Sequence, residues 1–158
     1  LKIPCYIALA NLNTGVCEIR SSGSLFDVVA ASSAIPLIFQ PVEIDEHQYV
    51  DGGLLENMPV SAIRDQTAYV VGINVMPALV AVKNEVKTVF GIAQRCFDLS
   101  ILANTQPSID LCDLVIEPKH IRKYTILQLS KYQEIHDIGY AAMKTKIPEL
   151  EAALAAKE

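Results

Sequence analysis

The order of apolar and polar segments predicts an α/β fold. Three observations carry the prediction. Residues 68–75 form an unbroken run of apolar and β-branched side chains, as in a strand buried on both faces of a parallel sheet. Leu114-Val115-Ile116 forms a second, shorter run closed by Pro118. Between them, residues 86–102 are apolar at Val86, Val89, Phe90, Ala93, Cys96, Phe97 and Ile101, which is helical spacing. A strand, a helix and a second strand in that order make a layered α/β unit.

The remaining elements follow in chain order. Residues 5–12 read as a strand, Asn13-Thr14-Gly15 as a turn, and residues 16–20 as a returning strand. A hairpin closed there places Cys17 opposite Ala10, and Cys5 opposite a residue near Ser22, so the two cysteines do not meet. Ser24, with Asp27 three residues on, caps a helix through Leu25, Val28, Val29 and Ala31 that ends before Pro36. Residues 42–44 and 48–50 are short strands around the polar turn Asp45-Glu46-His47. Asn57 is read as the N-cap of a short helix through Pro59, Ile63 and Arg64. Residues 130–146 are amphipathic, with Ile135, Ile138, Ala142 and Met143 on one face, and Ile147-Pro148 separates them from a last helix over 149–156. With so few strands, the sheet reads as incomplete.

Composition narrows the chemistry. A net charge of −5 over 158 residues lacks the basic footprint of a nucleic-acid binder. The chain is 51% hydrophobic and 20% charged, which excludes disorder. The richest apolar stretch, residues 68–82, is interrupted by Asn74 and Pro77 and is too short to span a bilayer. Four cysteines without a Cys-x-x-Cys spacing read as reduced, buried thiols of a cytoplasmic protein, not as a disulfide scaffold or zinc site. His47, His120 and His136 lack metal-binding spacing and read as solvated, as do Asp110 and Asp113; no metal and no cofactor are expected. Lys119, His120, Arg122 and Lys123 read as a basic surface cluster, with anionic headgroups as a second reading. The sequence opens at Leu1-Lys2-Ile3-Pro4, without an initiator Met, and reads as part of something longer.

The chemically informative segment is Asp51-Gly52-Gly53. A carboxylate on a sharp turn after a strand, beside glycines that permit positive φ and close backbone approach, is placed to act as a general base for a hydroxyl nucleophile. The same three residues also suit a plain turn in which the aspartate caps its own backbone. From the tripeptide alone, both readings stand.

The surrounding order of motifs adds to this. Ala31-Ser32-Ser33-Ala34-Ile35-Pro36, then Phe39-Gln40-Pro41-Val42, then Tyr49-Val50-Asp51-Gly52-Gly53 and Asn57-Met58-Pro59-Val60 resemble the patatin-like phospholipase family. Residues 69–75, 114–118 and 139–142 also fit its pattern. Leu37, Gln40 and Asn74 depart from it, standing where glycine, proline and an acidic residue are common.

The resemblance implies a three-layer α/β/α sandwich and a serine lipid acyl hydrolase, acting on lipid esters with a Ser–Asp dyad and no histidine. It makes Asp51 the catalytic aspartate, with Gly52, Gly53 and Asn57 as support for the turn. The family's nucleophile sits in a Gly-x-Ser-x-Gly elbow, and no such motif occurs in these 158 residues. Ser32 and Ser33 read as close-packing positions, not as replacements for it. Residues 1–158 are therefore read as one C-terminal portion of a patatin-like domain, incomplete as a sandwich and inactive alone. Self-association through exposed edges and peripheral contact with a membrane are further expectations. A non-catalytic assembly module on the same scaffold and a lipid acyltransferase are the alternatives.

Overall fold

A computed structural model describes residues 1–76, 86–124 and 128–156. The chain is of the α/β class, with its strands in two sheets. The first is antiparallel, in the order β2-β1-β4-β3: β1 (Ile7–Asn11), β2 (Cys17–Arg20), β3 (Val42–Ile44) and β4 (His47–Asp51). The second is a parallel pair of β5 (Val71–Ile73) and β6 (Leu114–Ile116). The sequence suggested a thin, incomplete sheet and did not show that its strands divide in two. Tight turns allow neighbouring strands to return antiparallel, and only β5 and β6, separated by a helix, are placed to run parallel.

The first hairpin has the register its turn dictates, with Ala10 opposite Cys17 and Ile7 opposite Arg20. Gly15 supplies the left-handed conformation at φ 72°. Helix α1 (Leu25–Ser32) is capped by Ser24, whose Oγ accepts from Asp27 N at 3.4 Å. It lays Val28 and Ala31 onto Leu9 and Tyr49, and these four buried residues form the core of the first sheet. The two-residue turn between β3 and β4 has both central residues, Asp45 and Glu46, at positive φ (49° and 65°), the twist that suits a tight hairpin.

The second sheet sits over Met58, Val60 and Val70, with Ile63, Ile109 and Cys112 packed around them. Its strand β5 is shorter than the apolar run that encodes it, and one of its faces is bare: Val71 and Ile73 are 37% and 58% exposed. The expectation of a strand buried on both faces is thus corrected. The other face of β5, at Gly72, is buried against Cys112 and Met58, and helix α2 (Ser61–Arg64) adds Ile63 to the cluster of Met58, Val60 and Val70. Residues 77–82 of the longer apolar stretch, and the Arg122 side chain of the basic cluster, lie outside the described residues.

Helix α3 (Val89–Ile109) runs seven residues beyond the expected end, with Thr88 as its N-cap and Pro107 in its last turn. The amphipathic helix α4 (Tyr132–Lys144) and the short α5 (Ile147–Ala155), with proline in its first turn, close the chain. No described helix is long and apolar enough to cross a membrane. All four cysteines are free, but Cys5 and Cys96 are exposed and Cys17 and Cys112 only partly buried, which corrects the expectation of buried thiols. Cys5 precedes β1, and Cys96 faces an open cavity, so neither has core around it.

Candidate active site

Asp51 is the last residue of β4, and its position is fixed on three sides. Across the sheet it pairs with Leu9 of β1. Its backbone N–H donates to Ala34 O at 3.1 Å, in the small-residue segment after α1. Ala31 and Ala34 are buried there, and their small side chains allow the two backbones to approach. Beyond Asp51 the chain enters a single 3-10 turn, Gly52–Leu54.

Within that turn, Asp51 Oδ1 accepts from Gly53 N at 2.8 Å. Among the described residues this is the one hydrogen bond to the carboxylate, and the second oxygen is left for another donor. Burial pushes the Asp51 carboxyl above the usual carboxylate range, and the Gly53 N–H pulls the other way without cancelling it. A carboxylate so tuned is a better proton acceptor than a solvated one.

The two glycines serve packing, not left-handed backbone. Neither has a positive φ, which corrects one reason given for them from the sequence. A Cβ at Gly52 would lie 2.2 Å from Ala8 O and 2.3 Å from Ala8 C, so only glycine fits against β1 at that point. A Cβ at Gly53 would lie 3.1 Å from Asp51 Oδ1 and 3.3 Å from Asn57 Oδ1, which brings Asp51, Gly53 and Asn57 into one small cluster.

Asn57 does not cap α2. The helix begins at Ser61, its N-cap position is Val60, and no side chain caps it. The Asn57 side chain turns instead to α3, donating through Nδ2 to Thr105 Oγ1 at 3.0 Å. Thr105 is buried, and its hydroxyl donates to Ile101 O at 2.6 Å.

Helix α3 supplies the contacts that sequence reasoning missed. Asn104 Nδ2 donates to Gly53 O at 3.0 Å and to Leu54 O at 3.2 Å, while its Oδ1 accepts from Asn57 N at 2.9 Å. Ser100 Oγ donates to Leu54 O at 2.9 Å. The signal was legible: Ser100, Asn104 and Ser108 recur at four-residue spacing, with Thr105 beside them, and so share one side of the second half of the helix. Ending the helix at residue 102 hid it.

Ser32 and Ser33 lie at the C-terminal end of α1, with Ser33 as its C-cap, and form no strand-to-helix elbow. Leu37 takes a φ of 71°, the conformation a glycine would favour. It opens a segment whose Leu37 and Phe39 line, with Val50, Leu54, Ala93 and Phe97, an apolar cavity of about 490 Å³. The apolar stripe of residues 86–102 divides between core and surface. Phe97 and Ile101 are buried, but Val89, Phe90 and Cys96 are exposed. No group of three or more metal-ligating side chains occurs among the described residues.

Residues 3–63 match the family model of the patatin-like phospholipases. The matched segment takes in the whole antiparallel sheet, α1, the Asp51 turn and Asn57, and stops within α2. The likeness read at residues 69–75, 114–118 and 139–142, like α3 and the parallel strands, stands beyond the match. The family is, by that description, one of phospholipases, that is, of lipid hydrolases.

Proposed function

We propose that the protein is a serine–aspartate lipid acyl hydrolase in which Asp51 is the base. The observation that carries this reading is the Asp51 carboxylate itself: one oxygen tied to Gly53 N, the other unbonded, the group partly buried with a raised pKa at the end of a patatin-like strand. The role needs a serine Oγ about 3 Å from the unbonded oxygen, to which it gives its proton while attacking the ester carbonyl. Ionised Asp51 takes that proton and returns it to the leaving alcohol, so that acyl transfer to serine is balanced. Water then attacks the acyl-serine and regenerates the site.

In this reading the nucleophile and the oxyanion donors lie outside residues 1–158, which hold the aspartate portion of the domain. The substrate is a lipid ester, reached at a membrane or micelle surface by peripheral contact. An alcohol in place of water would make the same site an acyltransferase, and nothing in the Asp51 geometry favours one acceptor.

A second reading has its own support. Gly52 is required against Ala8, and Asp51 caps its own turn, so the motif serves folding whether or not it serves catalysis. A non-catalytic assembly module would retain it for that reason. Ester hydrolysis by the full-length protein and by its Asp51→Asn variant separates the two. The hydrolase reading requires activity in the first and its loss in the second; equal activity in both removes Asp51 from the mechanism. The 158-residue chain alone should be inactive, and turnover by it would place the nucleophile within these residues.

A further inference from the structure

We infer that Asn104, on α3 and outside the patatin-like match, is a positioning residue for Asp51, holding the chain that follows it by hydrogen bonds to the backbone of Gly53, Leu54 and Asn57. The inference rests on the proposed role of Asp51 and deepens it.

The Asp51 carboxylate is oriented by the N–H of Gly53. Its direction therefore follows the placement of Gly53. On the incoming side that placement is set by Gly52, wedged against Ala8 O. On the outgoing side it is set by Asn104, whose Nδ2 donates to Gly53 O and Leu54 O. The Asn104 Oδ1 accepts from Asn57 N, so one planar amide closes the loop from residue 53 to residue 57. The job needs a donor and an acceptor on the same carbon, which an amide side chain offers at any pH. An ionised aspartate supplies no donor, and a leucine of similar shape supplies neither.

The support is rigid as well as specific. Asn104 stands in the second half of a 21-residue helix, and Thr105 beside it is buried and bonded to the Asn57 side chain. Ser100 joins the same clamp but reaches only Leu54 O. That difference separates positioning from mere stapling: Ser100 fastens the turn, whereas Asn104 also grips the residue that orients the carboxylate.

The test compares Asn104→Leu with Ser100→Ala. One readout is kcat and KM for ester hydrolysis in the full-length protein. The other is the titration of the Asp51 carboxyl carbon by NMR in the 158-residue chain. N104L should lower kcat by about 10- to 100-fold with little change in KM, as a small misplacement of a reacting group does. It should also move the Asp51 midpoint further upward, because Gly53 N–H is no longer held on the carboxylate. S100A should lower the melting temperature while leaving the Asp51 titration and kcat near wild type. Where N104L fails to fold, Asn104→Gln keeps both hydrogen-bonding groups one methylene out of place and should move the titration the same way.

An unmoved Asp51 titration in a folded Asn104 variant overturns the inference and leaves Asn104 a structural staple. The outcome is independent of whether Asp51 is the base. If D51N retains full activity the catalytic reading fails, yet the titration still decides whether Asn104 orients Asp51.

Discussion

Gly52 and Gly53 are neighbours in one turn, yet their substitution by alanine should have opposite consequences. A methyl group at Gly52 would stand 2.2 Å from Ala8 O and 2.3 Å from Ala8 C. Both are backbone atoms of β1, which is hydrogen-bonded to β2 on one side and β4 on the other. Reaching ordinary contact requires a separation of about 1 Å more, and β1 cannot retreat that far without breaking a ladder. Overpacking against side chains costs roughly 1–3 kcal/mol, and against backbone the upper end is the floor, so Gly52→Ala should cost at least about 3 kcal/mol. For a chain of this size that corresponds to a fall of about 6–12 °C in melting temperature.

At Gly53 the added methyl group meets Asp51 Oδ1 and Asn57 Oδ1, the ends of two side chains, and the backbone is not left-handed. Gly53→Ala should therefore change stability by no more than about 1 kcal/mol. It should instead disturb the Asp51 carboxylate, loosening its bond to Gly53 N and moving its titration upward. Urea unfolding and carboxyl-carbon NMR on both variants test the pair. Stability of G52A within about 1 kcal/mol of wild type, or a larger loss in G53A than in G52A, would refute the packing argument.

Other expectations follow from the same structure. Because burial raises the Asp51 pKa, the folded chain keeps this proton to a higher pH than the unfolded chain, and stability falls as pH rises from the ordinary carboxylate value through the raised one. Asp51→Asn should accordingly be more stable than wild type at about pH 7 and no more stable at about pH 3; urea midpoints that differ equally at both would contradict this. Leu37, at φ 71° and half exposed, should reverse the usual order of substitutions: Leu37→Gly should exceed Leu37→Ala in stability by about 1 kcal/mol, and the opposite ranking in thermal melts would count against the strain. Exposed Cys5 and Cys96 should react with a thiol reagent well before Cys17, whose thiol is pushed up to about 11 by burial and then by Glu56 and Glu18; fast modification at position 17 in the folded chain would contradict its placement. The bare face of β5, with Val71, Ile73 and Val75 exposed, should drive self-association of the 158-residue chain, and a monomer at all concentrations by sedimentation would rule that out.

The elements legible in the sequence were those specified locally. The first hairpin follows from Asn13-Thr14-Gly15, and its register from the turn length. Helix α1 follows from Ser24 and Pro36, and the position of Asp51 at a strand end from the glycines behind it. What escaped was set by distant contacts. Asn57 has the composition of a helix cap, but the side chain is claimed by Thr105, 48 residues away. The glycines of the turn suggested left-handed backbone, whereas the requirement at Gly52 comes from Ala8 in another strand. The polar stripe of α3 has no partner until the turn folds onto it, so its meaning is invisible in a local window. The division into two sheets likewise depends on pairing across the chain, which alternation of apolar residues does not encode.

The central claim is that Asp51 takes the proton of a serine nucleophile, and the pH dependence of kcat/KM for ester hydrolysis by the full-length protein tests it most directly. The acid limb should coincide with the Asp51 carboxyl titration, above the usual carboxylate range, and Asp51→Asn should abolish activity across the whole profile while remaining folded. An acid limb unrelated to that titration, or a folded D51N protein with wild-type turnover, would contradict the account.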